Sequence, residues 1–325
     1  AEKIYALKGG KEALPYVTAA LRKSPSHARA LSLAGEIYRA SGEYRIAESY
    51  MAKAVENADR EEYRRRYEVF FGKKKESVPD DVELWNAATE RWSKESAVCV
   101  SNDTDTVLYD DGSVVTSVRE VYRVFSREKA KALEERSVIV NRNTDELVSL
   151  VYRSVSNGST VQSDDIQTKD LSDPESRIYI DMTEYAIRAP DVRPGGYLVF
   201  EYVLRSNSGR SFKGYYCDEK FYEPSIRVLA AHFSVTSSRE VFVKGYRCTP
   251  VIRKAKGSGG RVRTDVSAGP FAPVREEPGM LPFASRVPSI AVTTFSDWME
   301  FNDWFSSQLV SKTAVPSSAA RSAPR

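Results

Sequence analysis

The hydrophobic period of the chain changes near residue 95, and this change restricts the fold more than any single motif does. Before it, apolar residues recur at the spacing of an amphipathic helix, whereas after it they alternate with polar residues. A helical period buried as a strand would place half of its apolar side chains on the wrong face, and the reverse also holds. The sequence therefore predicts an α+β protein with helices first and strands second, in separate domains.

Size and charge exclude some classes of protein. A chain of 325 residues holds about two domains. Its 48 basic and 45 acidic residues nearly cancel, so charge gives no reason to expect nucleic acid or an anionic membrane as a partner. No stretch approaches the roughly 18 unbroken apolar residues of a membrane span, and no signal peptide is visible. We expect no integral membrane segment. The first residue is not Met, which favours a mature or excised piece.

Residues 1–94 contain an internal period of about 34 residues. Small and aromatic residues between Ala28 and Val55 recur where two helices of a hairpin would pack together. The packing residues are Ala34, Gly35, Tyr38, Gly42, Ala47, Met51 and Ala54. This pattern resembles the tetratricopeptide repeat. Ala13, Val17 and Ala20 occupy the same positions one period earlier, and Pro25 matches the proline between repeats.

One and a half repeats are too few for an independent array, because at least about three are the rule. We therefore interpret 1–94 as the truncated end of a longer solenoid, which the resemblance implies binds protein partners. Glu61–Phe71 is a poorly matching further helix, and the basic triplets nearby are most simply a solvated helix face. A helix over Asp80–Ser93 would place Trp85 and Trp92 on one face.

Residues 95–293 show repeated strand and turn signals. Asp111-Gly112 and Asn157-Gly158 are typical of tight hairpin turns. The stretch 196–206, "GYLVFEYVLRS", predicts one strand, and 239–268 predicts two strands joined by a Gly/Ser turn. Arg127–Ser137 is either a helix or a charged loop. Many short strands of this kind indicate an antiparallel β-sandwich.

Few residues are suited to catalysis. Cys99, Cys217 and Cys248 lie far apart and form no metal-ligand or redox pair, so reduced thiols are expected, with a Cys217–Cys248 bridge left open. His27 is most simply a surface residue. His232 lies fifteen residues after Cys217 in a predicted strand; their pairing remains an alternative, although neither is at a helix start that would activate a thiol. We predict no catalytic, cofactor-binding or metal-binding residue.

The order of features from 95 to 310 resembles a bacterial domain of unknown function that precedes transglutaminase-like cores. The segments that carry the resemblance are "VYRVFS", "VYRSVSNGSTV", "APDVRPGGYLVFEYVL", "FYEPSIRVLAAHFSV" and "REEPGMLPFASRVPSIAVTTFSDW". The resemblance implies a non-catalytic scaffold fragment whose β-sandwich positions a downstream core acting on peptide or protein amides. It also implies a cell-envelope or periplasmic setting. The family's Cys, His and Asp triad lies in that core, and this chain has no Cys or His after Trp298.

Residues 294–310 predict a short C-terminal helix. Thr294 and Asp297 form a capping pair, and an apolar face follows. The residues of this face are Trp298, Phe301, Phe305 and Leu309, with Trp304 beside them. The resemblance implies that this lead-in helix contacts the missing core. Residues 311–325 are expected to be disordered, because they have no apolar period.

Two alternatives to a scaffold remain from the sequence. The aromatic-rich stretches 196–204 and 214–223 could line a groove for peptide or carbohydrate, although such residues also build sandwich cores. The chain could also be a thiol enzyme that uses Cys217 and His232.

Overall fold

The computed structural model of the chain describes residues 1, 4–5, 10–41, 43–58, 60, 63, 67, 81–109, 112–156, 158–163, 165–172, 180–206, 215–222, 225–256, 260–274, 279 and 281–313. Within them the helices are α1 (Gly10–Lys23), α2 (Ala28–Ala40), α3 (Tyr44–Asn57), α4 (Val82–Thr89), α5 (Arg127–Ala132) and α6 (Trp298–Thr313). The strands are β1 (Ala97–Leu108), β2 (Val114–Val124), β3 (Glu135–Asn141), β4 (Asp145–Ser156), β5 (Ser159–Gln162), β6 (Ile166–Asp170), β7 (Met182–Arg188), β8 (Tyr197–Ser206), β9 (Cys217–Phe221), β10 (Arg227–Val228), β11 (Ala231–Ser237), β12 (Phe242–Tyr246), β13 (Val251–Lys256), β14 (Val262–Ala268) and β15 (Ser289–Thr293).

Helices α2 and α3 approach each other closely at Gly35. A Cβ there would lie 2.4 Å from the Cγ of Met51 and 3.2 Å from the carbonyl oxygen of Ala47, so the contact requires a residue without a side chain. The predicted packing residues Ala34, Ala47 and Ala54 are buried. Tyr38 stacks on Tyr50 with ring centroids 5.5 Å apart. Gly42 lies outside the described residues.

The equivalent positions of α1 are also packed. Ala13 and Val17 are buried against α2, as the period predicts. His27 is exposed and caps α2, because its Nδ1 accepts a hydrogen bond from the amide of Ala30 at 3.2 Å. Of the predicted helix Glu61–Phe71, the structure describes only two tyrosines, both helical. The basic triplets Arg64–Arg66, within this segment, and Lys73–Lys75, just after it, lie outside the described residues.

The predicted helix over Asp80–Ser93 is shorter than expected. α4 ends at Thr89, whose hydroxyl bonds back to the carbonyl of Trp85 at 2.6 Å, and a 3₁₀ turn carries the chain to Trp92. Because the helix tightens there, the two tryptophans do not share one face. Trp85 is buried against the large sheet, 5.1 Å from the ring of Tyr197, while Trp92 lies under the guanidinium of Arg227 at 3.9 Å.

The largest sheet has nine strands and is mixed. Its order is β13-β14-β11-β1-β2-β8-β4-β5, with β10 beside β1. β1 pairs in parallel with both β10 and β11, whereas its other neighbour β2 is antiparallel. The prediction of an antiparallel sandwich was therefore wrong in this respect. Apolar alternation reports which side chains face the core, but it carries no information about the direction of the partner strand.

Two three-stranded antiparallel sheets, β12-β15-β9 and β3-β7-β6, contribute to the same core as the large sheet. Val138 of β3 and Ile290 of β15 are buried in one cluster with Phe200 and Phe233 of the large sheet. The strand region is thus a large mixed sheet with two small sheets sharing its core.

Local turn predictions agree with the strand pairing. β1 pairs antiparallel with β2 and β4 with β5, each through a turn with glycine at positive φ, Gly112 at 83° and Gly158 at 75°. The preceding Asp110, Asp111 and Asn157 are outside the described residues, as is Asp164. The segment Arg127–Ser137, for which the sequence left helix and loop open, begins with α5, whose N-cap is Ser126. Its last residues belong to β3, which begins at Glu135.

The segment 239–268 forms three strands instead of the predicted two. β12 belongs to a small sheet, while β13 and β14 form a hairpin at the edge of the large sheet. The chain changes sheets between Tyr246 and Val251, where Arg247 has a φ of 53° and Pro250 cannot donate to a ladder.

The helices contact the sheet region at Tyr109, just after β1. Tyr109 is buried with Ala47 and Met51 of α3. The guanidinium groups of Arg39 and Arg261 lie 4.7 Å and 5.0 Å from its ring centroid, so the tyrosine links α2 to the β13–β14 hairpin. None of the described helices is long and apolar enough to cross a bilayer.

Candidate functional site

The start of α6 is fixed by two carboxylates. Asp297 Oδ1 accepts from the amide of Glu300 at 2.9 Å, and Glu300 Oε2 accepts from the amide of Ser296 at 2.7 Å. These backbone hydrogen bonds lower the pKa of both carboxyl groups. The cap is therefore Asp297 with Glu300, not Thr294 as predicted. The Thr294 hydroxyl instead accepts from the amide of Tyr216 at 2.8 Å.

One side of α6 packs on the strand region through Phe295. This buried ring stacks on Tyr215 with centroids 4.2 Å apart and meets Phe301 and Trp304 edge-on at 5.4 Å and 5.8 Å. The Tyr215 hydroxyl donates to Glu300 at 3.0 Å. Phe301 and Trp304, both predicted to face a missing core, are thus half-buried against this chain's own residues.

Beside Phe301, α6 exposes large apolar side chains. Trp298 is 76% exposed and Phe305 47% exposed, and Met299 and Leu309 are also open to solvent. Single exposed apolar residues are ordinary, but the rings of Trp298 and Phe305 both lie beside Phe301, with centroids 5.4 Å and 6.2 Å away, so these exposed side chains are close to one another. We call Trp298, Met299, Phe305 and Leu309 the apolar face of α6. It is anchored at its base, so it presents these side chains in a defined position.

A second group of candidate residues lies on the face of the large sheet away from the shared core. His232 Nδ1 lies 2.7 Å from Asp103 Oδ1, joining the parallel strands β11 and β1. Beside it, Arg263 pairs with Asp105 at 3.0 Å and with Asp265 at 2.8 Å. The hydrogen bond that the His232 ring makes to the Asp103 carboxylate is the main reason why the pKa of His232 is raised. This face holds charges in pairs and leaves His232 half-exposed.

Protonation of His232 should stabilise the fold at mildly acid pH. Because its pKa is higher in the folded chain, this contribution is complete below about pH 6.5 and is lost as the pH rises through the folded pKa. Both partners are well exposed, so we expect less than about 1 kcal/mol. Thermal unfolding of the wild type and Asp103→Asn between about pH 5.5 and pH 9 should differ most at the acid end. Asp265 also raises the pKa of His232, but less than Asp103 does. If the difference between the two proteins grew as the pH rose, protonation of His232 would not be the cause.

The structure does not bring Cys217 to His232. Cys217 lies on β9 of a small sheet, and no hydrogen bond joins it to His232 among the described residues. Partial burial is the main cause that raises the pKa of the Cys217 thiol, which opposes thiolate formation. Cys99 and Cys248 are also free thiols, so the bridge from Cys217 to Cys248 is not formed. No cluster of three or more His, Cys, Asp or Glu suited to a metal occurs in the described part of the chain.

Most described aromatic residues of the stretches 196–204 and 214–223 lie in the core and do not line a surface groove. Tyr197 and Phe200 of β8 are buried, and so are Tyr216 and Tyr222 at the ends of β9. An open groove of about 700 Å³ does lie between the α2–α3 connection and the β3–β4 turn. Its lining mixes Glu43, Arg45 and Asp145 with aliphatic residues.

A buried polar cluster lies inside the shared core. Glu120 accepts hydrogen bonds from Asn102 at 3.1 Å, Tyr122 at 2.6 Å and Arg136 at 2.5 Å. Burial, followed by the Glu120 carboxylate, raises the pKa of Tyr122 well above its usual range. The cluster connects β1, β2 and β3, and all of its members face protein, so its role is to hold the small sheet on the large one.

Some of these residues could not be found from the sequence. Asp103 and His232 are 129 positions apart, and only the parallel pairing of β1 with β11 places them together. Phe295 had a weaker signal: it lies two residues before the capping Asp297, in the region where an apolar residue often packs back on the helix.

A family model described as "Domain of Unknown Function with solved-structure structure (DUF3857)" matches residues 110–275. No curated protein matches the chain. The crystal structure of a putative protease from Parabacteroides distasonis is similar with a TM-score of 0.52 at 12% identity, covering 62% of this chain and 41% of that one. A crystal structure of an M1 zinc metallopeptidase from Deinococcus radiodurans gives a TM-score of 0.31 at 9% identity, covering 61% of this chain and 42% of that one. This chain thus spans well under two thirds of either structure.

Proposed function

Since the chain belongs to the DUF3857 family of domains, we propose that it is a non-catalytic scaffold. In this proposal the helical hairpins bind protein partners, and the strand region positions a downstream transglutaminase-like core. The parent protein would act on peptide or protein amides through a Cys, His and Asp triad in that core. No residue of this chain is assigned a catalytic role.

The apolar face of α6 is the observation that carries the proposal. Removing the exposed tryptophan and phenylalanine from water would be favourable by about 25 cal/mol per Å² of apolar area buried. Yet the base of the helix is held by Phe295 and Tyr215, so the face cannot turn inward. A rigid helix with one unburied apolar side is suited to receiving a second folded unit.

Two further observations support the proposal. Exposed Tyr16 and Ile46 on the helical hairpins offer apolar contacts beyond those that hold the helices together. In addition, the putative protease from Parabacteroides distasonis contains this fold in less than half of its length. The fold can therefore be part of a longer chain that has other domains.

The quenching of Trp298 tests the positioning role. In this chain alone, acrylamide should quench a red-shifted fluorescence component that disappears in Trp298→Phe, because this indole is 76% exposed. In a longer protein that continues along the coding sequence past Arg325, the same component should become protected. Trp85→Phe, which removes a buried indole, is the matched control and should leave the accessible component intact.

Two outcomes would overturn the proposal. One is a coding sequence that ends at Arg325 or continues without Cys, His and Asp in that order. The other is amidase or amine-transfer activity of this chain that disappears in Cys217→Ala or His232→Ala, since that would make the chain itself a thiol enzyme.

A further inference from the structure

β13 is an edge strand with an unusual surface. It pairs with β14 on one side and ends the nine-stranded sheet on the other. All six of its residues are exposed, including Val251 at 58% and Ile252 at 44%. No other strand of the described part of the chain pairs with its outer side, so the backbone amides and carbonyls there form a row that can accept another strand.

The charge of β13 is of one sign. Arg253, Lys254 and Lys256 are basic, and the strand has no acidic residue. Lys254 pairs with Glu240 at 2.8 Å, but within the described residues neither Arg253 nor Lys256 forms an ion pair. By contrast, the opposite edge strand β5 has no charged residue at all.

The two sides of β13 differ in character. By its register with β14, Ile252, Lys254 and Lys256 share the core-side face of the sheet, because Val266 opposite Ile252 and Thr264 opposite Lys254 are buried there. Val251, Arg253 and Ala255 lie on the other face, with Arg253 opposite Asp265. A strand that alternates acidic and apolar residues would place its acids beside Lys254 and Lys256 and its apolar residues on the face of Val251 and Ala255, where Arg253 is opposite Asp265 of β14.

From these observations we propose that β13 is a docking edge for an extended acidic segment of another protein, which adds to the sheet as a further strand. A second copy of this chain does not fit, because antiparallel pairing of β13 with itself would bring like charges opposite each other. The chain after Thr313 does not fit either, since it contains two arginines and no acidic residue. Main-chain hydrogen bonds would supply affinity and the basic side chains would supply specificity.

Lysine on an edge strand also protects proteins from unwanted pairing, so the test must separate strand addition from simple charge attraction. The probe is a labelled peptide of about nine residues that alternates valine and glutamate, and binding is measured by fluorescence anisotropy. Two further peptides carry backbone N-methyl groups on either the odd or the even residues. Only every second amide of an added strand points to its neighbour, so one methylated peptide should bind like the parent and the other at least about tenfold more weakly.

Charge reversal gives the second arm. Lys254→Glu with Lys256→Glu should weaken binding of the parent peptide roughly tenfold or more, because two attractions become repulsions. The control pair, Lys23→Glu with Lys169→Glu, makes the same change in net charge at exposed positions of α1 and β6 and should leave binding unaltered. Circular dichroism and thermal unfolding confirm that each variant is folded.

Three results would overturn the proposal: no binding of the glutamate peptide, equal binding of a valine and lysine peptide, or equal binding of the two methylated peptides. The last would show that charge alone holds the peptide. None of these results depends on α6, so the scaffold proposal is tested separately.

Discussion

Replacing Arg136 by methionine is expected to lower the free energy of unfolding by about 3–5 kcal/mol. Glu120 is buried, and its carboxylate accepts hydrogen bonds from Arg136, Tyr122 and Asn102. Methionine fills a similar volume but leaves the buried carboxylate, whose side chain is only 8% exposed, without its opposite charge. Urea unfolding, followed by circular dichroism, measures the effect.

A second substitution, combined with the first, shows whether the uncompensated charge causes the loss of stability. Adding Glu120→Gln to Arg136→Met removes the uncompensated charge and should recover a large part of the loss. The matched control is Arg188→Met, which breaks an exposed ion pair with Glu135 of 2.9 Å and should cost less than about 1 kcal/mol. If Arg136→Met cost no more than Arg188→Met, the buried pair would not be important for stability.

The elements with a strong local signal were predictable from the sequence. The strand "YLVFEYVLRS" and the hairpin turn at Gly158 are set by alternation and by a positive φ that glycine adopts freely. The direction of β11 is not a local property, because it depends on the path of the chain between β8 and β11. The parallel pairing, and with it the contact of Asp103 with His232, could therefore not be predicted.

The C-terminal helix shows the same division between local and tertiary causes. Its existence and its apolar residues follow from the sequence, and exposure of Trp298 and Phe305 agrees with an unburied face. Spacing alone, however, could not show that Phe295 would cover Phe301 and Trp304. Their burial depends on how the strand region places Phe295 beside Tyr215.

Phe233→Ala is expected to lower the free energy of unfolding by about 3–5 kcal/mol. Phe233 is fully buried on β11, opposite Thr104 of β1 and Val266 of β14. β11 joins these two strands, so a cavity at this position would weaken packing across the parallel pair that unites the two parts of the sheet. Urea unfolding should show a lower midpoint with an unchanged slope, because the surface exposed on unfolding stays nearly the same.

Phe242→Ala is the matched control for this prediction. The same side chain is removed from β12, where it is 37% exposed and packs on fewer atoms, so the loss should be well under half as large. Equal losses for the two variants would mean that the parallel pair of β1 and β11 is not closely packed around Phe233. A larger loss at Phe233 would instead indicate that the least predictable pairing of the fold is also one on which its stability depends.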